Sequence, residues 1–496
     1  MVTVAPHRVR PRRGVELGLL VLALALAVGA YALVGLNVTG ELPGNIAGYG
    51  AGMAVLGLVL HVVLRLRAPY ADPVILPATI ALNGIGLAMI YRIDLAYAAR
   101  DNVTAFATRQ LAWTALGVLL ASVVLVVLRD HRTLRRYTYT AMVVGLVLVV
   151  LPLVPGLGTT INGARIWVRL GGMSLQPAEF AKIALAVFFA GYLVTHRETL
   201  TLAGPRIGGL HLPRVRDLGP ILVVWACSLA VLVFERDLGT SLLFFGLFVA
   251  MLYLATERTS WIALGMLLFG GGALLAAQVF PHVDARFDAW LHAFDDDVFN
   301  QSPGGSGQLV RGLYGMANGG LFGTGWGQGR PDLVPFAESD FIVASLGEEL
   351  GLTGLLALLV TYLVLAERGM RTAIGVRDGF GKLLAGGVAF VVAFQCFVVV
   401  GGVTRLIPLT GLTMPFLAYG GSSLLANWVI VALILRISDS ARRPAPAAPG
   451  RPGSDRPDPG HGPGPGPGDG YGRDPGHPGT DHQDTEILTG LKEARG

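Results

Sequence analysis

The amino-acid sequence predicts an all-α polytopic membrane protein with one large polar loop between its spans. Of its 496 residues, 53% are hydrophobic and only 14% are charged, whereas about 25% of the residues of an ordinary soluble domain are charged. Apolar runs repeatedly reach about 20 residues, the length that crosses a bilayer as an α-helix. The long polar stretch at 281–338 cannot lie in hydrocarbon, so we expect it outside the membrane.

Twelve apolar segments are candidates for membrane-spanning helices. Glycine interrupts several of them, and membrane helices tolerate glycine better than soluble helices do. Prolines at Pro69, Pro73, Pro177 and Pro281 lie at segment boundaries. The segments cover residues 15–36, 47–66, 73–92, 110–128, 138–155, 177–195, 219–235, 238–255, 261–280, 339–366, 380–405 and 416–437.

Basic residues between the spans set the predicted orientation. The arginine-rich segment 1–14 precedes an apolar run that is longer than the core of a cleavable signal peptide, so we expect a retained first span. With this segment inside, the inner connections hold roughly twice as many Lys and Arg residues as the outer ones. Both termini are then cytoplasmic, and the 281–338 loop is extracellular.

Arginines also occur in the outer connections, several of them beside acidic or glycine-rich motifs. A positive charge in such a position can serve a ligand, because an ionisable group beside a membrane span is a functional candidate by default. These outer arginines are Arg92, Arg100, Arg109, Arg165, Arg169, Arg236, Arg286, Arg311, Arg330 and Arg405.

Composition excludes several classes of function. The net charge of +5 reflects membrane topology, so we expect no nucleic-acid partner. The two cysteines, Cys227 and Cys396, lie in apolar runs, which rules out a disulfide framework. The sequence has no GxxxxGK[ST] loop, HExxH helix or CxxC pair, so an ATP-driven pump or a zinc protease has no support. Proline, glycine and charge dominate residues 440–496, which predicts a disordered cytoplasmic tail.

The first cluster of candidate site residues lies in NGARIWVRLGGMSLQPAEFAK, residues 162–182. Arg165 and Arg169 fall in a predicted outer loop. Glu179 and Lys182 follow at the start of a span, where a spacing of three places them on one helix face. This pair can form a structural salt bridge. Alternatively, the two arginines and the lysine can form an anion site that neutralises a pyrophosphate leaving group.

Three further motifs interrupt the apolar pattern. ERDLGTS at 235–241 predicts a tight polar turn, in which Asp237 either caps the following helix or serves a site. GGLFGTGWGQG at 319–329 is too glycine-rich for a helix and is only a weak signal for phosphate binding. In IPLTGLTMPFLAYGGSSLLANW at 407–428, two prolines and a glycine pair break an apolar run. Because irregular backbone at membrane depth needs cover, this predicts a re-entrant segment that lines a cavity.

The 281–338 loop carries three adjacent carboxylates, Asp295, Asp296 and Asp297. Like charges this close disfavour ionisation of all three, which suits one of them to act as a general base. Their oxygen atoms are also suitable ligands for a divalent cation such as Mg²⁺ or Mn²⁺. Composition alone favours a solvated acidic turn.

Taken together, these motifs resemble the SEDS family, the FtsW/RodA/SpoVE peptidoglycan polymerases. NGARIWVRL, QPAEFAK, DLGTS, GGLFGTGWGQG, SDFIVASLGEELGLTG and PLTGLTMPFLAYGGSS occur in the order of the family across residues 73–437. The resemblance implies a ten-span SEDS core there, with residues 15–66 as two additional N-terminal transmembrane helices. This extension, the basic N-terminus and the glycine- and proline-rich tail are similar to those of actinobacterial RodA-type members.

The resemblance implies a glycosyltransferase that polymerises lipid II at the outer face of the cytoplasmic membrane, for cell-wall elongation or division. In that family the catalytic candidate is the aspartate of a W-L-x-P-x-x-D-P pattern, which Asp296 matches here. Ala293 and Asp297 replace the two prolines, so the choice among Asp295, Asp296 and Asp297 stays open. The chain departs from the family at three further places. Ser306-Gly307-Gln308 stands where the family has Gly-Tyr-Gln, Glu338 replaces a His, and Ala418 replaces a Ser.

The implied mechanism gives each candidate residue a role. Asp296 removes the proton from the acceptor hydroxyl, whose oxygen attacks the anomeric carbon of the donor with inversion, through a state that resembles that of glycoside hydrolysis. Undecaprenyl pyrophosphate leaves, and a divalent cation can assist it. Arg165, Arg169 and Lys182 hold its charge, Glu179 positions Lys182, Asp340 and Glu348 order the loop or the cavity wall, and Asp237 and Gln308 complete the substrate-binding set.

The resemblance also implies partners. Lipid II is the substrate, and since the sequence has no transpeptidase domain, a class B penicillin-binding protein would crosslink the product. Other elongasome or divisome membrane proteins are further expected partners. Two other classes of function stay open. A secondary transporter or lipid II flippase also fits twelve spans and a broken helix, and a noncatalytic scaffold for a penicillin-binding protein needs no general base.

Overall fold

The computed structural model of the chain describes residues 11–161, 164–170, 173–201, 206–207, 210–211, 223, 226–227, 230–231, 233–301 and 304–444. Within these ranges, eleven helices are long and apolar enough to cross a membrane, which confirms the predicted helical membrane architecture. Fourteen α-helices are described: α1 (Arg13–Thr39), α2 (Ile46–Arg67), α3 (Ile75–Ala98), α4 (Phe106–Val127), α5 (Thr138–Val150), α6 (Pro177–Thr201), α7 (Leu238–Thr256), α8 (Thr259–Val279), α9 (Pro281–Leu291), α10 (Asp296–Phe299), α11 (Gly307–Gly319), α12 (Ile342–Gly375), α13 (Gly379–Val403) and α14 (Gly421–Arg442). Of these, α9, α10 and α11 are too short to span a membrane.

Eleven of the twelve predicted spans correspond to these helices. The span with α5 includes flanking 3-10 turns and runs from His131 to Leu153. The remaining prediction, 219–235, lies mostly outside the described residues, so the division into ten core spans and two additional ones stays a prediction. Residues 1–10 and nearly all of the predicted tail, from 445 onwards, also lie outside them.

The N-terminal helices α1 and α2 pack on α3 and its neighbours through small and aromatic residues. A Cβ atom at Gly84 of α3 would lie 2.2 Å from the Cβ of Ala27 in α1, so α1 approaches α3 closely only because position 84 is glycine. Tyr31 of α1 stacks on Tyr49 and Tyr91, with ring centroids 4.1 and 4.3 Å apart. Such ring pairs contribute about 0.5–1.5 kcal/mol beyond their area burial.

A small antiparallel sheet is the main departure from the predicted all-helical fold. Its strands β1 (Gly158–Ile161), β2 (Ala164–Leu170) and β3 (Met173–Leu175) pair in chain order, and a separate pair joins β4 (Arg206–Ile207) and β5 (Leu210–His211). In β2, Ile166 lines a cavity and Val168 is buried, whereas Arg169 is exposed. Trp167, between Ile166 and Val168, also lines the cavity, and the sheet replaces the predicted outer loop.

The 281–338 segment contains helices α9, α10 and α11 where the sequence predicted a polar loop. Side chains anchor α9 to the irregular stretch after α13. Arg286 Nη1 donates to the Leu409 carbonyl at 2.7 Å, and Trp290 Nε1 donates to the Arg405 carbonyl at 3.0 Å. In return, Arg405 Nε donates to the Trp290 carbonyl at 2.7 Å. These bonds fix the short connection that carries the three adjacent aspartates.

The glycine-rich run 319–329 pairs with a break in α12. Gly351 has φ 67° and ψ −172°, a region that only glycine adopts at low cost. The backbone N–H of Leu352 donates to the Gly320 carbonyl, and that of Thr324 donates to the Glu348 carbonyl, at 3.0 and 2.9 Å. The run therefore supports the broken helix, a structural role that needs no phosphate.

Replacing Gly351 with alanine should destabilise the protein, because a Cβ at this position would lie 2.2 Å from the Gly323 backbone nitrogen. Backbone strain alone costs about 1–3 kcal/mol. We expect a lower Tm in detergent for Gly351→Ala. Gly270→Ala in α8 is the matched control, since a Cβ there meets nothing within 4 Å. Equal Tm values for the two variants would contradict the assigned close contact.

Candidate active site

A cavity of about 960 Å³ opens where α4, the β1–β3 sheet, α9 and the start of α14 meet. The irregular segment that begins at Thr404 contributes Thr410, Gly411 and Thr413 to its wall. The predicted irregular stretch after α13 therefore does line a cavity. The cavity wall is polar where Thr410 and Thr413 lie. It is aromatic on the sides formed by α4 and β2, which contribute Trp113 and Trp167.

Two carboxylates and one guanidinium group form a charged cluster in the cavity wall: Asp237, Arg286 and Asp340. Removal of water raises the pKa of Asp340 to about 7, and Glu338 and Asp237 add to this effect while Arg286 opposes it. Desolvation also raises the pKa of Asp237 and lowers the pKa of Arg286. The three groups lie outside the spanning helices. Asp340 can therefore gain or lose a proton near neutral pH, as groups in active sites often do.

Asp237 holds its position as the N-cap of α7. Its Oδ1 accepts from the Thr240 backbone N–H at 3.0 Å, and its Oδ2 accepts from the Thr240 hydroxyl at 2.5 Å. A capping aspartate of this kind satisfies a backbone donor that the helix leaves free. The predicted cap is confirmed, and the same residue also lines the cavity.

Asp296 does not line the cavity. It begins the four-residue helix α10, is exposed, and its carbonyl accepts from the Asn300 side-chain amide at 2.9 Å. Its neighbours Asp295 and Asp297 are also exposed. Within the described ranges, no three His, Cys, Asp or Glu side chains converge as a metal site, and the divalent cation stays a prediction. The role of Asp296 stays a prediction.

Glu179 and Lys182 form a salt bridge inside the helix bundle. Lys182 Nζ lies 2.5 Å from Glu179 Oε2, and both side chains of this pair on α6 are buried. Lys182 Nζ also donates to Gln395 Oε1 at 3.0 Å, and Gln395 Nε2 donates to the Thr413 carbonyl at 2.9 Å. Neither Glu179 nor Lys182 lines the cavity. The pair reaches it only through Gln395 and Thr413, which favours the structural interpretation of the motif.

The remaining predicted site residues also lie off the cavity wall. Arg165 donates to the Val154 carbonyl at 3.3 Å, and Arg169 is exposed on β2. Gln308 lies in the first turn of α11. Glu348 accepts from Asn318 Nδ2 at 3.0 Å and so contacts the segment that leads into the glycine-rich run. Of the predicted set, only Asp237 and Asp340 lie together on the wall of this cavity, whereas Glu179 and Lys182 pair inside the bundle.

Sequence reasoning did not select the cations that do line the cavity, Arg109, Arg236 and Arg286. All three belong to the outer arginines, so a signal existed, but nothing in the sequence indicated which of them converge. Glu338 lines the same wall and accepts from the Tyr97 hydroxyl at 3.0 Å. The family motifs drew attention to Arg165 and Arg169 instead.

Comparison with known proteins places the chain in a family. The family model described as "Cell cycle protein", which covers FtsW, RodA and SpoVE, matches residues 73–443. The chain is 47% identical over 456 residues to "Peptidoglycan glycosyltransferase RodA" of Mycobacterium tuberculosis, covering 90% of this chain and 95% of that protein. It is 34% identical over 379 residues to "Stage V sporulation protein E" of Bacillus subtilis, covering 75% and 98%.

Solved structures share the fold. A chain from a peptidoglycan synthase complex, in work on the structural coordination of polymerization and crosslinking, superposes with a TM-score of 0.58 at 25% identity. A mutant of the rod shape determining protein RodA of Thermus thermophilus gives a TM-score of 0.53 at 23% identity. Each comparison covers 75% of this chain and 99% of the other. The chain therefore belongs to the FtsW/RodA/SpoVE family.

Proposed function

We propose that the protein is a peptidoglycan glycosyltransferase that polymerises lipid II for cell-wall elongation. The observation that carries the proposal is the 47% identity to mycobacterial proteins named peptidoglycan glycosyltransferase RodA, over 95% of their length. The match to the sporulation protein of Bacillus subtilis covers less of this chain, 75% against 90%. This difference favours the RodA type.

The proposed reaction joins two lipid-linked glycans. The acceptor hydroxyl oxygen forms a bond to the anomeric carbon of the donor, and the bond from that carbon to the pyrophosphate oxygen breaks with inversion. Asp296 accepts the hydroxyl proton, and the two electrons of the broken bond leave with the polyprenyl pyrophosphate. Because Asp296 is exposed beside the anchored helix α9, the sugars would react at the outer surface while the lipid-linked end occupies the cavity.

Membrane orientation follows the distribution of charge. The positive-inside rule places both termini in the cytoplasm and the 281–338 segment at the outer face of the cytoplasmic membrane. The cavity then opens to the side where the glycan product must appear. Holding both substrates by their lipid tails and diphosphates would lower the entropic barrier of the bimolecular step.

A class B penicillin-binding protein, which would crosslink the glycan strands, is the proposed partner. The peptidoglycan synthase complex that shares this fold supports an assembly of this kind. Other membrane proteins of the elongation machinery would join it.

Purified protein in detergent should convert fluorescent lipid II into long glycan strands, separable by gel electrophoresis. The partner transpeptidase, added to a second sample, should crosslink the strands. Lipid II reconstituted in vesicles distinguishes the other classes of function. Translocation of labelled lipid II without polymer would replace the proposal with a flippase, and polymer formed only by an added polymerase would leave the chain a scaffold.

A further inference from the structure

Among the residues that the structure describes, two arginines on the cavity wall form no salt bridge. Arg109 and Arg236 both line the cavity, and in the described part of the chain neither guanidinium group has a salt-bridge partner, although Asp237, Glu338 and Asp340 share the same wall. Arg286 differs, because its Nη1 binds the Leu409 carbonyl and its charge faces two carboxylates. The first two cations are therefore available to an anionic ligand.

Arg109 lies on the face of α4 that forms one side of the cavity. Arg109, Ala112, Trp113 and Leu116 all line it, and their spacing of three, four and seven residues is that of a single helix face. The next residue, Gln110, accepts from the Gly420 backbone N–H at 3.3 Å. The first turn of α4 and the start of α14 are thus joined directly beside Arg109.

The start of α14 adds a favourable field for an anion. Its first residues, Gly421, Ser422 and Ser423, line the cavity, and its N-cap residue, Gly420, has no side chain that could cap this end of the 22-residue helix. A Cβ at Gly421 would lie 2.5 Å from the Trp113 ring, so α14 begins tightly against α4. The partial positive charge of a helix N-terminus favours negative ligands over about one turn, and here it reinforces the two arginines.

Arg236 is held on the wall by a strained backbone. Its φ of 58° lies in the left-handed region, which is uncommon for residues other than glycine. Both neighbours are fixed, because the Glu235 carbonyl accepts from the Arg165 backbone N–H at 3.1 Å and Asp237 caps α7. The exposed Arg236 side chain therefore starts from a rigid turn at the cavity edge.

We propose that Arg109 and Arg236, with the first turn of α14, form a diphosphate-binding subsite of the cavity. This proposal rests on the proposed function. It assigns the diphosphate to these two arginines instead of Arg165, Arg169 and Lys182. Guanidinium groups suit the task, since they donate in pairs to phosphate oxygens and keep their charge. The ligand is the diphosphate of a polyprenyl lipid or free pyrophosphate, which share this chemistry.

Binding of inorganic pyrophosphate and of farnesyl diphosphate to the full-length protein in detergent tests the subsite. Calorimetry should give a Kd for each probe, with farnesyl diphosphate the tighter ligand if the lipid is the natural source. Arg109→Gln and Arg236→Gln should each weaken binding about tenfold, the loss expected for one charge-assisted contact. Equal affinity for the two probes, with the same dependence on arginine, would support the subsite and assign it to the free anion.

Matched variants make the result decisive. Arg311→Gln removes the same charge from the exposed face of α11, where the guanidinium lies over Phe299 at 5.8 Å, and should leave both Kd values unchanged. Arg236→Lys keeps the charge and should retain most of the binding if Arg236→Gln lowers the Tm. The proposal is overturned by a wild-type protein that binds neither probe, by unchanged binding in both glutamine variants, or by a loss confined to Arg165→Gln and Arg169→Gln.

These outcomes are separate from those of the proposed function. A protein that polymerises lipid II but binds both probes independently of Arg109 and Arg236 keeps its function and loses this subsite. A protein that binds the probes through these arginines but forms no polymer keeps the subsite and loses the glycosyltransferase assignment. Binding and polymerisation are therefore measured on the same preparations.

Discussion

Replacing Asp296 with asparagine should slow glycan polymerisation by the purified protein about 10²–10⁴-fold, the usual contribution of a general base. The substitution removes the ability to accept a proton and keeps the size of the side chain. Because Asp296 is exposed and its hydrogen bonds within the described part of the chain use its backbone carbonyl, the Tm should not change. Initial rates with fluorescent lipid II and melting curves on the same sample measure both quantities.

The neighbouring aspartates supply the matched controls. Asp295→Asn and Asp297→Asn each remove one negative charge from the same exposed turn, and we expect rates within a few-fold of the wild type, since a rim charge mainly affects encounter. A large loss in one of them, with Asp296→Asn active, would move the base to that position. Full activity in all three variants would show that the base lies elsewhere, with Asp340 on the cavity wall the next candidate.

Much of the helical framework could be predicted because membrane spans are encoded locally. Pro177 occupies the first position of α6 as expected, and the break between α13 and α14 follows from two prolines and a glycine pair. The sequence analysis predicted neither the small sheet nor α11, although α11 has a readable pattern. Leu309, Leu313 and Met316 recur at helical spacing in α11 and pack on the core.

The cavity wall could not be predicted in the same way, because it depends on contacts between residues far apart in the chain. Arg109 lies on α4 and Arg236 precedes α7, so only the packing of the bundle brings them to one cavity. Sequence order instead grouped Arg165, Arg169 and Lys182, since they share one motif. These three residues are neighbours in the sequence, but they lie on β2 and α6 at positions off the cavity wall.

Breaking the buried Glu179–Lys182 salt bridge on α6 should strongly destabilise the protein. Lys182→Met leaves Glu179 as an uncompensated carboxylate in the bundle, where the pair is 5% exposed or less, and breaking a buried pair typically costs about 3–5 kcal/mol. The double variant Glu179→Gln, Lys182→Met removes both charges and should recover most of that stability. Melting curves of the two single variants and the double variant give the coupling between the residues.

Polymerisation by the double variant decides what Lys182 does. If the lysine acts only through its pair with Glu179 and its bond to Gln395, restored stability should restore the rate to within several-fold of the wild type. A stable double variant without activity would contradict this and return Lys182 to the diphosphate, as the family motif implies. The comparison separates a residue that builds the cavity from one that binds in it, because a neutral pair can replace a structural salt bridge but cannot hold a charged leaving group.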